Sequence, residues 1–390
     1  MIQTMLTNRK RPELPPVPVC FPIGDYAGVY ERLQSAGIGG VAVRDCLVME
    51  LDGSFPLLKK LIDSEINVEE LDYLAKRLES FDRRELAQFQ GLAVSQELSD
   101  MTDLINLTFC CQEATVVQDF TDLAAVGRMY YMDLHGGITE DEVQTVDFHK
   151  LALSLLANEE GSITPYGVVY ENNMKLEQCY YGLYFPYYQY SGDMLLAVAL
   201  KDRSHSPDHA DITWLYLPAE DCQIERALLR SGIPEENLLL EYVIAELPER
   251  LVDLFGAEEN IYEVNRLCKI FQKQDQEGRQ KWEAVLVLSQ PANILQAEKL
   301  LKQIDLFDFI PGISTPEDYG KYMIMESGRF EYDSNLDEFY DFNKYGTQRI
   351  AEQHGQFIAS GYISYHGFLS VEEVMAGSES ERMELQMSGL

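Results

Sequence analysis

Residues 303–368 read QIDLFDFIPGISTPEDYGKYMIMESGRFEYDSNLDEFYDFNKYGTQRIAEQHGQFIASGYISYHGF. Thr315, Pro316 and Glu317 make a helix start: a capping hydroxyl, a proline at the first helical position and an acid in the first turn. Glu317, Asp318 and Glu326 surround the apolar positions Tyr319, Tyr322 and Ile324, which predicts a short amphipathic helix. A second acidic run, Glu331, Asp333, Asp337, Glu338 and Asp341, precedes Lys344. Phe330, Tyr332, Phe339, Tyr340, Phe342 and Tyr345 alternate with those acids. The aromatics are expected to anchor a core while the carboxylates face water.

The same stretch is written a second time earlier in the chain. DFHK at 147–150 matches DFNK at 341–344, an offset of 194 that Gly161 and Gly355, and Gly167 and Gly361, share. FTDLAAVG ending at Gly127 matches ISTPEDYG ending at Gly320, and VEELDYLAKRL from Val68 matches IYEVNRLCKIF from Ile261, both at 193. ERLQSAGI ending at Ile38 matches RALLRSGI ending at Ile233 at 195. A chain-long series at nearly constant offset predicts a tandem duplication of a unit of roughly 170 residues.

Composition suits two such units. The chain has 390 residues, enough for two or more domains with sizeable cores. Its 65 acids against 31 bases give a formal charge of −34, which repels DNA, RNA and anionic membranes and attracts a basic surface. An apolar fraction of 46% with 23 tyrosines argues against general disorder. The seven cysteines are irregularly spaced and without CxxC, so they are expected to be reduced, mostly buried thiols of a cytoplasmic protein. Neither a signal peptide nor a membrane-length apolar run is expected.

The expected organisation is a loose proline-rich arm over 1–18, a first unit over 19–173, a tyrosine-rich connector and linker over 174–210, a second unit over 211–370 and a mobile tail over 371–390. In the first unit, helices are expected at 25–36, 68–78 (capped by Asn67), 83–94, 100–107, 122–134 and 147–157. Strands are expected near 41–51, Val116, 166–170 and 194–200, with a turn at Asn172 and Asn173. KDRSHSPDHAD from Lys201 is the expected linker. In the second unit, helices are expected at 221–230, 261–271, 282–288 and 292–304. Short strands and helices without regular βαβ spacing predict an α+β fold in several small modules per unit.

Catalytic patterns are sparse. The six histidines form no HExxH and have no CxxC partners, while His205 and His209 lie in the proline-containing linker. No GxSxG occurs, and the pairs Gly39–Gly40 and Gly136–Gly137 lack a phosphate-binding context. Asp141 with Glu142, and Glu159 with Glu160, read as solvated or helix-end charges. QCYYGLYFPYYQY at 178–190 could stack on single strands, but its acidic surroundings favour packing between units. No enzyme activity, metal or cofactor is expected.

Between Asp211 and Glu263 thirteen acids face three bases, Arg226, Arg230 and Arg250. The first unit carries more bases near its start, at Arg9, Lys10, Arg11, Arg32, Arg44, Lys59 and Lys60, and is open to being a scaffold.

The segment AVRDC at Ala42, the VEELDYL and IYEVNRL helices, YGKYMIMESG, LDEFYDFNKYG and HGQFIASGYISYHGF together resemble the ArdA family of antirestriction proteins. The resemblance is strongest over 211–370 and weaker but traceable over 17–173. It implies an elongated, multi-module protein with the shape and charge of B-form DNA, which occupies the DNA groove of type I restriction-modification enzymes or their methyltransferase core. It also implies a non-enzymatic protein without direct nucleic-acid binding or membrane association. Typical members are one unit that dimerises, whereas this chain carries two. It is therefore expected to be a monomer with internally paired units, joined through His149–Tyr170 and Asn343–Tyr365, or a homodimer. The acids that would face the partner are Asp221, Glu225, Glu235, Glu236, Glu246, Glu249, Asp253, Glu258, Glu259, Glu263, Glu317, Asp318, Glu326, Glu331, Asp333, Asp337, Glu338 and Asp341. The alternative is an acidic adaptor or regulatory protein whose basic partner is unrelated to DNA modification.

Overall fold

Ile2, Thr4 and Leu6 are buried and alternate with exposed Gln3, so the first residues of the chain form a strand, β1 (Ile2–Thr7). The computed structural model describes residues 1–188, 194–204, 211–329 and 331–377, with the backbone alone at 244, 245, 336 and 338. β1 lies between β2 (Val17–Phe21) and β3 (Cys46–Gly53), and β4 (Glu65–Ile66) closes an antiparallel sheet of order β2-β1-β3-β4. The expected loose arm at 1–18 is thus corrected over its first residues. The alternation I-Q-T-M-L-T is a period-2 pattern, overshadowed in the sequence by the prolines that follow it.

Cα packing divides the chain into two units. The first holds residues 1–192, 200–214 and 220–237, and the second 193–199, 215–219 and 238–390. In the first unit, α1 (Tyr26–Ser35) runs from β2 toward β3. Asn67, Asp82 and Asp100 cap α2 (Val68–Glu79), α3 (Arg83–Ser95) and α4 (Met101–Leu107), each accepting backbone N–H groups. Leu6, Phe21, Leu33, Val48, Leu71 and Phe89 join the sheet and these helices in one core. Full burial of each such side chain contributes roughly 1.5–3 kcal/mol. Behind them, β5 (Thr115–Val117), α5 (Leu123–His135), α6 (Glu140–Thr145), α7 (Phe148–Asn158), β6 (Ser162–Thr164) and β7 (Gly167–Tyr170) build a smaller module. Its sheet, of order β5-β7-β6, shares a core with α5 and α7 through Val117, Val126, Ala152, Leu155 and Tyr170. The helices close tightly at Gly127, where an added Cβ would stand 1.8 Å from the carbonyl oxygen of Phe148.

The tyrosine-rich connector packs on the main core of this unit and also meets residues of the expected second unit, with Arg230 over Phe185 at 4.4 Å and Tyr187 beside Trp214 at 4.7 Å. Tyr180 and Tyr188 are buried in the main core, and Phe185 stacks on Tyr73 at 4.7 Å and on Tyr180 at 5.1 Å. Residues 189–190 of that cluster lie outside the described residues. The connector span also contains a strand, β8 (Leu196–Asp202), in a three-stranded sheet of order β10-β8-β9 with β9 (Thr213–Leu217) and β10 (Leu238–Ala245). The linker expected from Lys201 is strand or turn over 201–204, and residues 205–210, with His205 and His209, lie outside the described residues. The helix α8 (Asp221–Ser231) folds with the first unit.

The second unit continues with α9 (Glu249–Val252), α10 (Ile261–Gln272), α11 (Gln276–Ser289) and α12 (Ile294–Lys302). Buried Trp282 meets Phe271 at 5.1 Å, and Glu298, also buried, receives Lys302 at 2.7 Å and Arg266 at 3.6 Å. Then come β11 (Phe307–Pro311), α13 (Pro316–Lys321), a π-helical turn at Tyr322–Glu326, α14 (Phe342–Gln353), β12 (Gln356–Ile358) and β13 (Gly361–Tyr365). The sheet order is β11-β13-β12, antiparallel. The last element, α15 (Val371–Ala376), buries Val374 against Val285, Leu300 and Phe307. The expected mobile tail is therefore a docked helix over 371–376, and 378–390 lie outside the described residues. Helices and several small sheets in separate modules make the fold α+β.

Candidate partner-binding surface

The stretch from Asp221 to Asn237 shows how local chemistry sorts charge. Ile224 is the buried apolar anchor of α8, while Asp221, Glu225, Glu235 and Glu236 are exposed. Arg226 and Arg230, one helical turn apart, point the other way. Glu69, in the first turn of α2, accepts Arg226 Nε at 3.0 Å and also accepts Arg230 Nη2. The Arg226 guanidinium lies 4.0 Å from the centre of the Tyr30 ring, and that of Arg230 lies 4.4 Å from Phe185. Burial pushes the Tyr30 hydroxyl well above its ordinary range, with the nearby Glu69 carboxylate adding to the shift. At the other end of α8, the Glu220 carboxylate accepts the N–H groups of Tyr26 and Ala27 at 3.0 and 2.8 Å, where α1 begins.

The remaining predicted acids lie in the second unit. Glu246, Glu249, Asp253 and Glu258 are exposed, whereas Glu259 and Glu263 are half-buried. Desolvation raises the Glu263 carboxyl above its ordinary value, partly offset by Arg266, 3.8 Å away. Toward the C-terminus, Thr315 caps α13, its Oγ1 accepting Asp318 N–H at 3.1 Å, and Glu317 pairs with Lys321 at 2.7 Å. Glu326, Glu331, Asp333, Asp337 and Asp341 are exposed, and the side chain of Glu338 lies outside the described residues.

Two of these acids also build the backbone. Asp333 accepts Asn335 N–H at 2.9 Å, and Asp341 accepts Lys344 N–H at 3.0 Å as the cap of α14. Glu317 and Asp341 line one shallow hollow of about 330 Å³, together with Phe339, Tyr340 and Phe342. The expectation that the aromatics of this run anchor a core holds for Tyr345, which packs against Tyr319, Met323 and Tyr362. It fails for Phe339, which is 81% exposed because the 3-10 turn over 334–339 carries it outward. Phe330 lies outside the described residues.

Several bases near the start of the first unit are paired with acids. Arg44 is held by Glu70 and Asp100, both at 3.0 Å, Arg9 by Glu65 at 3.5 Å, and Lys59 by Asp52 at 3.6 Å. Glu142 is a helix-end charge: it closes a capping box with Thr139 and accepts the Tyr131 hydroxyl, which together hold its carboxyl down to about 2. Glu69 was not singled out by the sequence, since its partners lie 157 and 161 residues away and no local pattern links them.

All seven cysteines are free thiols, and Cys46, Cys110, Cys111 and Cys268 are buried. Among the described residues, no group of three or more His, Cys, Asp or Glu side chains is placed to hold a metal ion. Burial raises the thiols of Cys46, Cys111 and Cys268, the last to about 12, so these sulfurs are poor nucleophiles.

The fold and this surface define an acidic α+β protein with many of its carboxylates exposed on capped helices and turns. Residues 211–364 match the family model described as Antirestriction protein (ArdA). The matched region begins before β9 and ends within β13, so it includes α8 and all the predicted partner-facing acids. No curated protein matches the chain.

Proposed function

We propose that the chain is a DNA-mimicking inhibitor that occupies the DNA groove of a type I restriction-modification enzyme or its methyltransferase core in the cytoplasm. The observation that carries this reading is the sorting of charge in the region that matches the antirestriction family. Most of the acids named above are exposed, while Arg226 and Arg230 are turned inward onto Glu69. Duplex DNA carries one charge per about 1.7 Å of axis, so a formal −34 corresponds to the charge of some 17 base pairs. A partner that grips phosphates reads no sequence through those contacts. A protein that reproduces only the positions of charge would therefore block it whatever its recognition site. Carboxylates carried on folded helices also need less ordering on binding.

We further propose that the chain is a tandem pair of related units that pair within one molecule. Four features support the likeness of the two units. The sheet orders β2-β1-β3 and β5-β7-β6 recur as β9-β8-β10 and β11-β13-β12. Asn67 and Asn260 cap α2 and α10. Asp147 and Asp341 each accept a backbone N–H three residues on, both at 3.0 Å. Gly127 and Gly320 each sit against the carbonyl oxygen of a phenylalanine, Phe148 or Phe342.

The test is capture of the tagged chain from cells expressing a type I system, with the bound proteins identified by mass spectrometry. Recovery of methyltransferase and specificity subunits supports the proposal. Their absence beside a different basic partner would favour an adaptor role instead.

A further inference from the structure

We propose that Glu69 is a positioning residue for the acidic face of α8, holding Arg226 and Arg230 inward so that the carboxylates around them meet a basic partner undiluted. This rests on the reading that the acidic surface is the binding surface. Glu69 uses both carboxylate oxygens, Oε1 for Arg226 and Oε2 for Arg230. The site is largely closed to water: the side chains of Glu69 and Arg226 are each 14% exposed and that of Arg230 is 5% exposed. Tyr30 and Phe185 floor the two guanidinium groups, and the Leu183 carbonyl takes Arg230 Nη1 at 3.4 Å. Arg226 Nη2 is buried without a hydrogen-bond acceptor, so its remaining bond to Glu69 and its ring contact hold the group in place.

The geometry makes the consequence specific. α8 has 11 residues and spans about 16 Å. Asp221 and Glu225 lie one turn apart on its outer face, beside the turn-spaced pair Arg226 and Arg230. Freed from Glu69, either guanidinium could swing into water beside those carboxylates. Two cations would then offset the field that draws a basic partner. Glu220 already fastens the N-terminal end of α8 to α1, so loss of Glu69 releases the arginines without undocking the whole helix.

The experiment compares wild type, Glu69→Gln, an exposed control Glu13→Gln that changes net charge equally, and the triple variant Glu69→Leu/Arg226→Met/Arg230→Leu. The triple replaces the buried ionic group by apolar side chains of similar size, an exchange that folds tolerate. Binding of polylysine across a salt series, and competition with duplex for a type I methyltransferase, give affinity and salt dependence. Phenylglyoxal labelling read by mass spectrometry reports whether Arg226 and Arg230 are exposed, with Arg250 as the exposed reference. Glu69→Gln is expected to label at both arginines, bind polylysine several-fold more weakly than Glu13→Gln, and show a shallower salt dependence. The triple variant is expected to regain wild-type binding and slope. Protection of both arginines in Glu69→Gln, or labelling with affinity and slope like those of Glu13→Gln, would overturn the proposal. A wild type that binds polylysine but fails against the methyltransferase would sink the functional reading alone.

Discussion

Thr115 donates its hydroxyl to Asp133 across 2.8 Å, tying α5 to β5 in the first unit. Asp133 also accepts Gln88 Nε2 at 3.0 Å and pairs with Arg84, both from α3. Burial nevertheless dominates and pushes its carboxyl from 3.8 up to about 6. A carboxyl raised in the fold favours folding while it is protonated, and that contribution is lost as pH rises through about 6. A shift of this size corresponds to about 3 kcal/mol. The stability of wild type minus that of Asp133→Asn is therefore expected to fall by about 2 kcal/mol between pH 4 and pH 7. Denaturant titrations of both proteins at each pH measure it, and a difference independent of pH contradicts the assignment.

Gly320 lies at a close approach of α13 to α14. A Cβ there would stand 2.0 Å from the carbonyl oxygen of Phe342, and backbone cannot yield cheaply. Gly320→Ala is expected to cost about 1–3 kcal/mol or more through overpacking. Gly137→Ala, where a Cβ meets nothing within 4 Å, is expected to change stability by less than about 0.5 kcal/mol. Equal melting temperatures for the two variants would contradict the packing described.

The acids proposed to face the partner divide between the units, and their role can be read by substitution. Glu235→Gln/Glu236→Gln alters the first unit, while Glu246→Gln/Glu258→Gln/Glu259→Gln alters the second. Each set is expected to weaken inhibition without lowering the melting temperature, and the combined fivefold variant to weaken it most. Single substitutions are expected to do little, because an exposed pair is worth at most about 1 kcal/mol. Full inhibition by the fivefold variant, with folding intact, would remove these carboxylates from the interface.

Local chemistry was legible wherever one short motif decides the outcome. Asn67 and Thr315 each cap the helix expected to follow, because a side-chain acceptor next to an apolar period is a local signal. Strands were less legible. β1 and β10 are short or acid-bearing runs, LLLEYVIA for the latter, that resemble helix or loop until a neighbour pairs with them. The π-helical turn at Tyr322–Glu326 shares the apolar spacing of an α-helix. The packing of Tyr180, Phe185 and Tyr188 on the first core has no period, since that segment is neither helix nor strand. The acids were readable as a composition, but the inward turn of Arg226 and Arg230 depends on a carboxylate more than 150 residues away.

If the two units pair within one chain, the solution mass follows. Sedimentation equilibrium at micromolar concentration is expected to give 44.5 kDa. A stable species of twice that mass would contradict internal pairing and favour a homodimer.

The central claim is most directly tested by competition on a purified type I methyltransferase holding a labelled duplex. The chain is expected to displace duplexes of unrelated flanking sequence equally, at a stoichiometric concentration, and less effectively as salt is raised. Retention of the duplex at saturating concentrations of folded protein in low salt would contradict it.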